Sequence, residues 1–187
     1  MQKYNRAFLR AAILLGICVS AYVAYSVLSE NIHTISEGQA YRSGQLSAAA
    51  LEQCILKFKI KSILNLRGPN PGEKWYEEEI HQARQHKVAY YEISLSSGEA
   101  PGARQIEQIE DTLLHAPRPI LIHCQGGSDR TGLVSAMWKI MIDQANPHEA
   151  EKQLGFYYGH LSIGNTKAMD DAFQAWMIER MKKNRAP

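Results

Sequence analysis

Cysteine is scarce in this sequence. Its three cysteines in 187 residues, Cys18, Cys54 and Cys124, fall at no paired or metal-ligand spacing, so neither a disulfide framework nor a zinc site is expected. Excess charge is lacking as well. The 21 Lys and Arg nearly balance the 19 Asp and Glu for a formal net charge of +2, and the basic residues are scattered rather than striped, which excludes a nucleic-acid footprint. No repeats or low-complexity tracts occur. A chain of this length fills one core of average domain size and has no room for two.

One long uncharged stretch stands apart. Residues 11–28, AAILLGICVSAYVAYSVL, sit at the lower limit for a membrane-spanning helix, about 17 to 25 residues. Lys3, Arg6 and Arg10 precede it, so the positive-inside rule leaves residues 1–10 as a basic cytoplasmic N-terminus and sends the rest across. The expectation is an uncleaved N-terminal membrane helix with the domain on the extracytoplasmic, periplasmic side. A cleaved signal peptide releasing a soluble periplasmic protein is the alternative, since Ala24 to Ser26 offers small residues at cleavage spacing. Residues 29–37 then read as a linker, 38–181 as the domain and 182–187 as a tail.

Strands and helices alternate through the domain. A strand edge falls around Ala40 to Arg42, and Ser47 caps a helix whose Leu51, Cys54, Ile55 and Phe58 share a face. Ile63, Leu64 and Leu66 form a strand that stops at RGPNPG. The mixed stretch from Glu73 to His86 is a surface helix, with Trp75, Ile80 and Tyr76 turned inward. VAYYEISL is a third strand, and Ile106, Ile109 and Leu113 mark the helix after it. Ile120 to Ile122 make a strand buried on both faces, followed by a largely buried helix carrying Leu133, Val134, Met137, Ile140 and Met141. Pro147 starts one C-terminal helix, and Met169, Phe173, Trp176, Met177 and Arg180 line another. This alternation predicts an α/β fold with a mostly parallel central sheet and helices on both faces.

The chemistry is concentrated in HCQGGSDRTG, between the buried strand and the buried helix. Gly126 and Gly127 let the backbone curl so that successive N–H groups of Gln125, Gly126, Gly127, Ser128, Asp129 and Arg130 face inward. The following helix contributes the positive end of its dipole, and Arg130 a planar two-bond fork, so a phosphate dianion fits the cradle. The same field acts on Cys124, and since cysteine thiols at helix N-termini beside cations are acidified, a thiolate is expected there. A thiolate beside a phosphate cradle is a nucleophile aimed at phosphorus.

His123, Cys124, Gly127, Arg130, Thr131 and Gly132 match the HCxxGxxRTG signature, and the chain resembles the cysteine-dependent protein tyrosine and dual-specificity phosphatases. YRSGQ (Tyr41 to Gln45) and ILNLRG (Ile63 to Gly68) are similar to the opening motifs of the atypical, bacterial exported members, so the resemblance covers roughly residues 38–180. It implies a dual-specificity phosphatase-like fold and a two-step, metal-independent and cofactor-free hydrolysis. Cys124 takes the phosphoryl group, Arg130 holds its oxygens, Thr131 stabilises the departing thiolate, and an acid protonates the leaving oxygen. The implied substrate is a phosphoprotein carrying phosphotyrosine or phosphoserine/threonine, with a phospholipid or small envelope phosphate as the alternative.

What the loop lacks narrows the chemistry further. Residues 125–129 contain no lysine, which disfavours a heavily phosphorylated substrate. The loop after the third strand, ISLSSGEAPG, has no aspartate and offers only Glu99 as an acid. Asp129 lies inside the phosphate loop, as in the CxxGxDR arrangement of myotubularin-type phosphatases, and is favoured from reach. His123 reads as a buried residue orienting the loop, His160 as a surface or packing residue, and Arg67 either as a site lining or as half of an ion pair. A phosphate-binding pseudo-enzyme needs no Cys124–Arg130 pair, and an arsenate reductase or sulfurtransferase needs a second thiol; Cys54 has no motif around it.

Overall fold

β1 (His33–Ser36), β2 (Ala40–Ser43), β3 (Ser62–Asn65), β4 (Ala89–Glu92) and β5 (Ile120–His123) form one sheet in the spatial order β1-β2-β5-β3-β4. The computed structural model describes residues 30–185, with positions 10, 13, 14, 16 and 17 of the segment before them. β2, β5, β3 and β4 run parallel, and β1 closes one edge antiparallel to β2. The mostly parallel sheet read from the alternation is therefore the observed one.

The pleat sends alternate residues to opposite faces, and each face has its own helices. Ala40, Leu64, Ile120 and Ile122 pack on one side with Ile109 and Leu113 of α3 (Ala103–His115), Val134 and Trp138 of α4 (Asp129–Met141), and Phe173 of α6 (Lys167–Arg185). Tyr41, Ile63 and Leu121 pack on the other with Leu51, Cys54 and Ile55 of α1 (Ala48–Phe58) and Ala83 of α2 (Lys74–Gln85). Ser47 caps α1, its side chain accepting from the Ala50 N–H at 3.3 Å. Asn146 caps the short α5 (Pro147–Glu151), which begins at Pro147 as expected. Met169, Phe173, Trp176 and Met177 of α6 are buried, and the Arg180 guanidinium lies over the Trp176 ring.

Four sequence expectations need correction. Residues 29–37, read as a linker, contain β1, which is too short and too polar to show a strand pattern. The stretch at Ala40 to Arg42 lies inside the sheet between β1 and β5. In α2 the buried residues are Glu79 and Ala83, with Trp75, Tyr76 and Ile80 only half-buried, because Glu79 has polar partners beneath the sheet's end. Residues 182–185, read as tail, continue α6. Most of the apolar run 11–28 lies outside the described residues, and among those described no helix is long and apolar enough to cross a membrane.

β5 is the middle strand, so its carboxyl end opens between the loops that leave β2 and β3, the crevice where ligands bind in parallel sheets. α4, which follows, is buried from Thr131 to Trp138. Trp138 anchors it from a fully buried position with Nε1 donating to Asp143 at 3.0 Å. Trp138→Ala is expected to destabilise the fold by about 3–5 kcal/mol. Chemical denaturation measures this, and a loss below about 1 kcal/mol would contradict the packing described.

Candidate active site

Cys124 follows the last residue of β5 and is almost fully buried. Each of the next four carbonyls is held by a donor outside the loop. The Gln45 N–H donates to Gln125 O at 3.0 Å. Asn31 Nδ2 donates to Gly126 O at 2.9 Å, and Arg42 Nη2 to Gly127 O at 2.8 Å and Ser128 O at 3.3 Å. In a planar trans peptide the C=O and the next N–H point in opposite directions. Pulling these carbonyls outward therefore turns the N–H groups of residues 126–129 inward. The Gly127 N–H accordingly donates to Cys124 Sγ at 3.3 Å.

Only glycine fits at position 127. Its φ is +71°, and an added Cβ would lie 2.5 Å from Gly44 N, a left-handed conformation and a contact that a side chain cannot tolerate. The loop is thus clamped against the end of β2.

Arg42 holds two of the four carbonyls in that clamp. Its guanidinium is fully buried, donates through Nη1 to Gln153 O and Oε1 at 2.8 Å each, and stacks 3.9 Å from the Tyr158 ring centre. Burial draws its pKa down to about 10, opposed by Tyr158 and Cys124, so it stays protonated at neutral pH. The sequence marks Arg42 as the end of a strand edge and a member of YRSGQ, with no role of its own; the available signal was a guanidinium in a strand otherwise built for burial.

Arg130 extends from the first turn of α4 to the ends of the neighbouring strands. Nη1 donates to Leu95 O at 3.2 Å and Leu66 O at 3.5 Å, while the buried Nε makes no hydrogen bond. Thr131 is fully buried and its hydroxyl is likewise unbonded. Both are polar atoms whose hydrogen-bonding capacity a bound phosphoryl group or a sulfur anion could use. Glu99 is exposed, in a loop whose Gly98 approaches Asn165.

Behind the loop lies a second set of polar groups. His123 Nε2 meets Glu79 Oε1 at 3.0 Å, with both side chains buried. Glu79 also accepts from Tyr90 OH and from Gln45 Nε2, the latter at 2.5 Å. Burial pushes the Glu79 carboxyl up, but His123 and these donors outweigh it and hold it below the usual range. The expectation that His123 orients the loop is consistent with this geometry; its buried partner Glu79 was hidden in an acidic run. Among the described residues Arg67 makes no carboxylate ion pair. It donates to Gln45 Oε1 at 3.0 Å, stacks 3.5 Å from the Trp75 ring centre, and has its pKa lowered by burial and by Arg130.

His160 is not a surface residue. It is buried, with Nδ1 2.7 Å from Asp129 Oδ1 and Nε2 2.9 Å from Asp170 Oδ2. Its sequence neighbours gave no signal, since Asp129 and Asp170 are distant along the chain. Cys54 is buried on the opposite face of the sheet, where burial pushes its thiol up to about 12.

A family model of the dual-specificity phosphatase type, described as "DSP-PTPase phosphatase fused to NAD+ Kinase", matches residues 21–173. The chain belongs to this family. The DSP-PTPase domain is 31% identical over 107 residues to a rice (Oryza sativa subsp. japonica) protein named probable NAD kinase 2, chloroplastic. That match covers 56% of this chain but 11% of the rice protein, so the chain spans about a tenth of its relative. Among solved structures, P. aeruginosa TpbA superimposes with TM-score 0.60 at 18% identity, over 79% of this chain and 85% of TpbA. The S. cerevisiae PP-IP phosphatase SIW14 core gives 0.59 at 19% identity, over 83% and 93%. A putative phosphatase from Shewanella putrefaciens gives 0.62 at 12%, over 80% and 90%. These likenesses establish a shared fold.

The clamp generates a test. Arg42→Lys keeps a charge but loses the planar fork, and each charge-assisted bond removed costs about 1.5–3 kcal/mol. We expect a lower melting temperature and inhibition by inorganic phosphate weakened about tenfold or more, equivalent to about 1.4 kcal/mol. Reduced stability with unchanged phosphate inhibition would mean that Arg42 supports the core without shaping the loop.

Proposed function

We propose that this DSP-PTPase domain hydrolyses phosphomonoesters through a cysteinyl-phosphate intermediate, with phosphoproteins as its substrate class. The observation that carries the reading is the loop whose carbonyls are all tied outward around Cys124 Sγ. Cys124 attacks phosphorus, the inward N–H groups and Arg130 meet the charge on the phosphoryl oxygens, and Thr131 supports the thiolate when it leaves. A water then releases phosphate. Charge on the transferring group is met by protein donors, so activity is expected to survive a chelator.

Asp129 is assigned as the acid. It opens α4 beside the loop and is only one-fifth exposed, whereas Glu99 needs its own loop to move. The described TpbA complex with pTyr supports a phosphotyrosyl substrate by analogy of fold. A second reading has its own support. Phe156, Tyr157, Leu161 and Ile163 are exposed, and Tyr157 packs on His33 close to where Asn31 meets the phosphate loop. An apolar rim suits a lipid-linked or small envelope phosphate. A thiol-dependent reductase or sulfurtransferase is disfavoured, because Cys54 lies across the sheet from Cys124.

The location proposed is an N-terminal anchor, residues 11–28, holding the domain on the extracytoplasmic side, on the ground of the basic flank at Lys3, Arg6 and Arg10. A reporter fused after Pro187 is expected to be active outside the cytoplasm and to remain with membranes. Cytoplasmic activity would refute export, and recovery of a soluble, shortened chain would favour cleavage over anchoring.

For the chemistry, Cys124→Ser is expected to abolish turnover and leave binding of a phosphate analogue intact, because a serine hydroxyl is not ionised at neutral pH. Residual activity within about tenfold of the parent would overturn the covalent route. Arg130→Lys is also expected to be severe, since a point charge cannot form the two-bond fork. Asp129→Asn is expected to slow a phosphoseryl peptide or alkyl phosphate by about 10² to 10⁴ and an activated aryl phosphate far less. If Glu99→Gln shows that dependence instead, the assignment moves to Glu99.

A further inference from the structure

His160 lies between two carboxylates from different helices. Its ring is buried, Nδ1 is 2.7 Å from Asp129 Oδ1, and Nε2 is 2.9 Å from Asp170 Oδ2. Carboxylate oxygens accept, and both ring nitrogens donate only in the imidazolium form. The two contacts together therefore hold one mobile proton among Asp129, His160 and Asp170. The charged groups that act on the ring are Asp129 at the start of α4 and Asp170 on α6; Arg42 donates to Ser128 O, next to Asp129 in sequence. Tyr158, two residues away, is stacked on Arg42 rather than bonded to the imidazole.

We propose that His160 is the proton reservoir of the loop acid: it supplies Asp129 with the proton needed by the leaving group and takes it back during hydrolysis, with Asp170 holding the ring. This rests on the reading of the domain as a phosphatase with Asp129 as its acid, and it answers a difficulty in that reading. An isolated aspartate, with a pKa of about 3.9, is protonated about once in 10³ molecules at neutral pH. The hydrogen bond to Asp129 raises the pKa of His160, Asp170 adds to the rise, and burial opposes it. The ring accordingly keeps its second proton to higher pH than an ordinary histidine.

The proton count closes over the cycle. As Sγ of Cys124 bonds to phosphorus, the bond to the leaving oxygen breaks with its electron pair. The Nδ1 proton passes to Asp129 and from it to that oxygen, leaving Asp129 ionised and a neutral imidazole still donating from Nε2 to Asp170. A water oxygen then attacks phosphorus, the S–P bond breaks with its pair returned to sulfur, and one water proton passes through Asp129 to Nδ1. The other remains on the released phosphate. His160 touches no substrate and acts only through Asp129, which makes it a positioning residue.

The experiment compares an activated aryl phosphate with an alkyl phosphate across about pH 5.5 to 9, using the full chain and the variants His160→Gln and Asp170→Asn. His160→Gln is expected to lower kcat for the alkyl phosphate about 10²-fold at neutral pH and that for the aryl phosphate less than about fivefold. In Asp170→Asn the loss on the alkyl phosphate is expected to grow with pH, because removing a carboxylate brings the alkaline limb to lower pH. The ¹⁵N titration of the His160 ring should move the same way, a readout that holds even if His160→Gln folds poorly. Equal losses on both substrates, together with an unmoved limb and ring titration in Asp170→Asn, would reduce His160 to a structural tie and overturn the proposal. Failure of the unaltered chain on aryl phosphates would instead overturn the phosphatase reading, and this inference with it.

Discussion

The active loop depends on the direction of four carbonyl groups. Residues 125–128 follow the middle strand of the sheet, and their oxygens are taken up by the Gln45 amide, Asn31 and Arg42. Peptide planarity converts that into a ring of donors facing Cys124. Backbone N–H groups cannot lose their hydrogen-bonding polarity on burial, so the cradle is permanent once its outer side is tied. The clamp draws on three places in the chain: the segment before β1, the end of β2 and the turn after it. The sheet order brings them together, since β2 lies directly beside β5.

Charge is managed in the same layer. Arg42 is buried beneath the loop, Glu79 is buried behind it against His123, and His160 is buried beside it between Asp129 and Asp170. Burying an ion is costly unless it is paired or bonded; Glu79 and His160 meet ionisable partners, and both Nη atoms of Arg42 donate to named neighbours. Glu79 illustrates the balance, because burial alone would raise its pKa and its donors reverse the sign. A carboxyl held low in the folded state lends stability above its unfolded pKa and loses it as pH falls through the folded one. His160 is the opposite case: its raised pKa lends stability below about 6.5, lost as pH rises through the folded value.

The strands, the parallel order and the glycine-bearing loop after β5 were legible because they depend on local patterns: an apolar run, glycines in sequence, and a helix start beside an arginine. The loop's supports were not. Asn31 lies in a stretch read as linker, Glu79 sits within Glu77, Glu78 and Glu79 with nothing to distinguish it, and His160 meets Asp129 from thirty-one positions away. Each owes its role to a partner supplied by topology, which periodicity cannot register. β1 escaped for a related reason: a four-residue edge strand with one buried side chain carries almost no alternation. Of the two roles the sequence allows Arg67, the site lining fits better than the ion pair, since Arg130 and Cys124 both act on its charge while its bonds go to Gln45 and its face to Trp75.

The central claim is that the outward-tied loop makes Cys124 a covalent acceptor of the phosphoryl group. The most direct measurement is acid quenching of the enzyme during turnover of an aryl phosphate, followed by peptide mass spectrometry and ³¹P NMR. The account predicts one phosphoryl group on the peptide containing Cys124, with the chemical shift of a thiophosphate ester, disappearing as substrate is exhausted. Sustained phosphate release with no phosphoryl group on Cys124 at any quench time would contradict it.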